Sequence, residues 1–420
     1  MGRKAYLINI VLFLLFFQTR ESTAQDFLPL DTVYDPLVRS VYFESNEDSR
    51  FLQRVNLKSQ NTITLHFDLL EGSFRRLFCS IYHYNYDWTP SDLRFEEYFD
   101  GFDQLELFDY QISEQTQRPY VHYQLSLPQA SAKFKVTGNF LMVIYDQNNK
   151  VFLSRKIYVY DDAFSTTCSF VNPIIPAEVL THHALLLKVK TNIEKFINPE
   201  EDFKMVIMQN GNPNSSRLIM KPNSQLGAIL NYNRLTETSF AALNEFRAKD
   251  IRTIRSTTRD ISYWDVKNGD FQCYLKPDFS RANRPYSFEV DINGDFKILS
   301  KDFPNANTRG EYSIVHFRLE TYERDYPIYV YGALTDWQLK EEFKMHYNRE
   351  QGEYQANVLL KNGYFNILYA SSTEESTYNF ETFEGNSSSS ENHYVVLVYY
   401  RPFGSRYDQL KAVSIFLSNQ

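Results

Sequence analysis

The sequence predicts an all-β protein: several immunoglobulin-like β-sandwich modules in tandem, with minor helix in the middle module. Three observations carry this expectation. Tyr, Phe, Val, Ile and Thr dominate the periodic segments, whereas Ala/Leu/Glu/Lys runs with helical spacing are scarce. Apolar positions alternate with polar ones at a period of two in many short stretches. Gly, Pro, Asn and Asp punctuate these stretches at short intervals, as turns require. A chain of 420 residues, 43% hydrophobic and 16% aromatic, can fill more than one core.

The elements follow in order. Arg3 and Lys4 precede the apolar run Ala5 to Phe17, and Ser22-Thr23-Ala24 precede Gln25, which is the layout of a secretory signal over residues 1–24. The first β-sandwich is expected over 25–162. Thr62 to Asp68 and Tyr120 to Leu127 alternate cleanly, and Gly138 to Tyr145, Asp146 to Lys150 and Val151 to Tyr160 read as strand, turn, strand. A middle β-rich domain is expected over 163–301, with strands at Ala184–Lys190 and Phe203–Gln209. Phe240, Leu243, Phe246 and Ile254 make Leu235–Ile254 the best candidate for helical or irregular structure. Tyr286–Ile292 leading into Asn293-Gly294 reads as a hairpin, and Asn379–Asn392, with four consecutive serines, as an exposed flexible loop. The C-terminal domain, 302–420, has the rhythm of an early-set immunoglobulin-like domain.

The chemistry the sequence offers is recognition. The formal net charge is −8, and loss of Arg3, Lys4 and Arg20 against Glu21 would make the exported part more acidic, which excludes nucleic acid as a partner. Cys79, Cys168 and Cys273 are too far apart in sequence for a zinc or redox motif and read as buried free thiols. Nucleophile-elbow, zinc-protease and phosphate-loop motifs do not occur, so no catalytic residue, metal or cofactor is expected. His182-His183 would point to opposite faces of a strand and cannot share a metal. Asp87, Asp92 and Asp100 read as loop-capping carboxylates. Trp337 in the C-terminal domain leaves carbohydrate binding as the alternative function, although one Trp without a platform favours core packing.

Two stretches stand apart. In the first, His83, Asn85, Asp87, Trp88, Thr89, Pro90, Ser91, Asp92 and Leu93 are followed by Asp100, Gly101 and Phe102; in the second, Tyr399, Tyr400, Arg401, Pro402, Phe403 and Gly404 are followed by Arg406, Tyr407 and Asp408. The first resembles the signature of the type IX secretion system plug protein family, with Tyr84 replacing the usual cysteine and Tyr86 the usual small residue. The second resembles a further signature of the same family. The resemblance implies a periplasmic, non-enzymatic protein, monomeric within a complex. It would bind and occlude the periplasmic opening of the outer-membrane β-barrel translocon, and the residues of the two signatures would be its partner-binding candidates. Tyr, Trp and Arg, which dominate binding hot spots, are dense in both.

Overall fold

The structure is a computed structural model and describes residues 28–46, 51–59, 61–193, 198–372 and 378–419. The expected signal segment lies outside the described residues. Strands dominate throughout, and no described α-helix exceeds four residues, so the chain is all-β. Among the described residues no helix is long and apolar enough to cross a membrane.

The first unit is a two-sheet sandwich. One sheet orders Thr32–Val33, Val151–Tyr160, Gly138–Asp146, Leu77–Tyr84 and Leu105–Glu106; the other orders Val38–Ser45, Ile63–Leu69, Val121–Leu127 and Tyr110–Ile112. Ile63, Leu65 and Phe67 face Cys79, Ile81, Phe140 and Met142 across a single core. The expected hairpin forms, with Phe140 opposite Ile157. Leu77–Tyr84 is covered on both faces, because Tyr84 packs with Leu141, Val143 and Tyr145 in a second cluster behind the sheet; its most exposed residue is Tyr82, 37% exposed.

Sheet pairing then departs from the expected boundary between 301 and 302. A second sandwich sets Ser165–Val171, His182–Lys190 and Ile229–Tyr232 against a sheet of Arg217–Ile219, Phe203–Gln209, His393–Tyr400 and Gln409–Leu417. Its last two strands come from the far end of the chain, Phe203 lying opposite Tyr400. Conversely, the ten-stranded sheet built on Tyr312–Glu320, Glu353–Lys361 and Gly363–Ser371 takes in Arg247–Asp250, Ile261–Lys267, Asp270–Leu275 and Phe296–Ile298. Alternation identifies a strand but not its distant partner.

Three local expectations are corrected. The helical alternative for 235–254 is not taken; the segment is irregular apart from the short strands Ser239–Ala241 and Arg247–Asp250. Phe240, Phe246 and Ile251 sit in three different clusters, which a single helical face could not serve. Asn293-Gly294 does turn, with φ of +53° and +84°, but 286–292 is not a strand; Asp291 accepts from the Asn293 N–H at 2.9 Å and from the Phe246 N–H. The serine-rich segment is built in: the carboxylate of fully buried Glu384 is held by Arg247 and Arg281, and Ser390 donates to the Ala242 carbonyl. Trp337 is 9% exposed and packs edge-on against Phe246 and Tyr331.

Candidate functional site

The two signatures, bonded to each other through residue pairs 314 and 316 apart, form one clasp between the first sandwich and the C-terminal hairpin of the second. Asn85 is its hub. Where the strand Leu77–Tyr84 ends, the Asn85 N–H donates to Thr89 O at 2.8 Å and the Asn85 carbonyl accepts from the Trp88 N–H, closing a tight loop. Asp87 caps the loop by accepting from the Thr89 N–H at 3.0 Å and the Thr89 hydroxyl at 2.6 Å. The loop forces Trp88 to φ +64°, a left-handed conformation costly for a bulky residue. Packing holds it there: Trp88 meets Tyr158 edge-on at 5.6 Å and carries the Lys156 ammonium 4.3 Å above its ring.

The second signature closes over this loop. Arg401 Nη2 donates to Asn85 Oδ1 at 2.7 Å, and Arg401 Nε lies 2.9 Å from Asp408 Oδ1. Asp408 also accepts from the Tyr86 N–H at 3.3 Å, so one carboxylate joins both stretches. Arg406 donates to the Asp92 carbonyl at 3.0 Å and pairs with Glu97. Tyr407 sets its edge against the His83 ring at 5.4 Å. Tyr400 stacks on Phe203 at 4.9 Å, and Pro402 to Ser405 make a turn in which Gly404 adopts φ +83°.

His83 shows how closed the seam is. It is 4% exposed, its Nδ1 2.7 Å from the Ser91 hydroxyl and its Nε2 3.2 Å from the Thr137 carbonyl. A neutral ring satisfies both, donating from Nε2 and accepting at Nδ1. Burial disfavours the imidazolium and lowers its pKa to about 4, against a smaller opposing effect of the Thr137 carbonyl. Gly138 lies so close that a Cβ would stand 2.4 Å from His83 Nε2.

The remaining signature residues face outward. Thr89, Pro90, Asp92, Asp100 and Gly101 are exposed, Pro90 bridging to Tyr84 and Asp100 pairing with Lys133. Gly101 takes φ +154° against the Ser131 carbonyl, presenting Phe102, which is 74% exposed; Phe403 is 91% exposed. Sequence reasoning missed three parts of the clasp. Asn139, fully buried, accepts from the Tyr399 hydroxyl at 2.6 Å; Glu97 and Asp408 complete the ion pairs. The only signal for Asp408 was its place at the end of the second signature.

The described residues contain no group of three or more His, Cys, Asp or Glu able to hold a metal. Cys79, Cys168 and Cys273 are free, with the thiol pKa raised by burial in each. His183 Nε2 donates to the Ser388 carbonyl and its Nδ1 meets the Tyr394 hydroxyl, both at 2.9 Å, and so it is a core residue.

Residues 38–161 match the model of the type 9 secretion system plug protein 1st domain. The chain is also similar to the crystal structure of a hypothetical protein from Parabacteroides merdae ATCC 43184. That likeness has 26% identity and a TM-score of 0.88, and covers 93% of this chain and 99% of the other. No curated protein matches the chain. Residues 38–161, which hold the first signature and the loop that the second one clasps, are thus similar to the first domain of type 9 secretion system plug proteins.

Proposed function

We propose that this protein is a non-enzymatic periplasmic plug that binds and occludes the periplasmic opening of the outer-membrane β-barrel translocon of type IX secretion. The observation that carries the reading is the plug-domain match over 38–161, whose signature loop is locked to the end of the chain rather than arranged around a reactive group. A plug acts by bulk and must keep its shape under load. Charged hydrogen bonds from Arg401 to Asn85 and from Arg406 to the Asp92 carbonyl, with ring packing, tie the first sandwich to the second across the seam, so the units present one body to a pore. Phe403 is fixed on both sides, by Arg401 on Asn85 and Arg406 on Asp92, and is a rigid exposed aromatic of the kind that anchors interfaces. Release for cargo requires modest affinity, so few such anchors suffice.

The test is affinity purification of tagged protein from solubilised outer membranes, paired with a deletion strain. Co-isolation of a giant β-barrel, and increased passage of periplasmic or antibiotic probes in the deletion, are expected. A pull-down that never contains an outer-membrane channel would overturn the reading.

A further inference from the structure

Where the three units meet, the structure has a cleft of about 610 Å³, within the ~300–1,000 Å³ range of small-ligand sites. The first sandwich contributes Phe43, Arg155 and Lys156, the second Met208, and the ten-stranded sheet and its loops Phe296 and Trp337. Arg155 and Lys156 are adjacent cations in Val151–Tyr160, a strand buried at every position after the first. Lys156 is 9% exposed. Its ammonium rests on the Trp88 face and has no hydrogen-bond acceptor or carboxylate partner among the described residues.

Of the neighbouring acids, Asp31 acts on Lys156 itself, whereas Asp336 and Glu44 have other partners. Asp31 accepts from the backbone N–H of Lys156 at 2.7 Å. Asp336 is shared between Arg155 at 3.1 Å and Lys340 at 2.6 Å. Glu44 lies 3.5 Å from His66, and Asp295 and Lys297 add one charge of each sign to the lining. Burial of the Lys156 stem depresses its pKa while the Asp31 charge opposes that effect. An entering anion would give the ammonium an acceptor in place of solvent, and the aromatic walls would cover an apolar body.

We propose that this cleft binds an organic carboxylate with an apolar or aromatic body, its carboxylate on Lys156 and its body against Phe43, Phe296 and Met208. Two sources share that chemistry: a free small acid and the C-terminal carboxylate of a polypeptide ending in an aromatic residue.

The experiment titrates the full chain, by calorimetry near pH 7, with 3-phenylpropionate and its amide, and with the peptide Gly-Gly-Phe and its C-terminal amide. At least one acid is expected to bind and to exceed its amide at least tenfold, and Lys156→Gln should lose at least tenfold for that acid. Tighter binding of the peptide assigns the site to chain ends, and tighter binding of the free acid to small molecules. Equal binding of acid and amide, no binding of either acid at millimolar concentration, or full binding by a folded Lys156→Gln would overturn the proposal. Should Lys156→Gln not fold, the acid and amide comparison on the native chain still decides.

Discussion

His83 should make the stability of this protein fall as the pH drops from 6.5 towards 4. In the unfolded chain the imidazole takes up its proton near pH 6.5. In the fold, burial against Phe140, Tyr98 and Tyr407 holds it neutral until about pH 4. Between those values the unfolded state binds more protons than the native one, so its contribution is complete above pH 6.5, declines through the window and is lost below 4. At about 1.4 kcal/mol per pH unit the total is about 3 kcal/mol. Urea melts at pH 7, 5.5 and 4.5, compared between wild type and His83→Gln, isolate it. His183 and His316, also lowered by burial, contribute to the slope of both proteins and cancel in the difference. The variant is expected to be less stable at pH 7, having lost the Ser91 and Thr137 contacts, and to have the shallower pH dependence. Parallel curves would refute the reasoning, as would an NMR titration placing the His83 pKa near 6.5.

Three further outcomes follow from the seams. Lys361→Met should cost about 3–5 kcal/mol in denaturant unfolding, because it strands Asp68, a fully buried carboxylate bonded to Lys361 at 2.6 Å, Tyr312 at 2.6 Å and His122 at 2.7 Å between the first sandwich and the large sheet. Asp68→Asn in the same chain should recover part of that loss. Arg401→Ala should cost about 1.5–3 kcal/mol, and a double-mutant cycle with Asn85→Ala should show coupling of about 1 kcal/mol; additivity would mean that the clasp is two independent contacts. Phe403→Asp should leave the melting curve within about 0.5 kcal/mol of wild type and still reduce recovery of the barrel in the pull-down, since the side chain is 91% exposed.

Strands were legible because alternation is a local property: Phe203–Gln209 and the hairpin 138–160 form where period two places them. Long-range pairing was not, since Arg247 pairs with Ile367 and Phe203 with Tyr400 without a local sequence sign of either. The same limit bears on the site. Residue types in the two signatures pointed to recognition, yet Tyr84, Tyr399 and His83 are buried, and Arg401 spends its guanidinium on Asn85 and Asp408. Nothing in a sequence distinguishes an aromatic or Arg that binds a partner from one that binds the other end of its own chain; both need rigid, amphipathic side chains in a desolvated pocket. The consequence for a plug is mechanical. On the proposed plug reading, anchors consumed inside the seam set the outline offered to a pore and leave direct contact to the side chains the clasp holds out, Phe403 between its two arginines and Phe102 beyond Gly101. Substitutions inside the seam should therefore change shape and stability before affinity, and substitutions at the two exposed rings should change affinity with the shape intact.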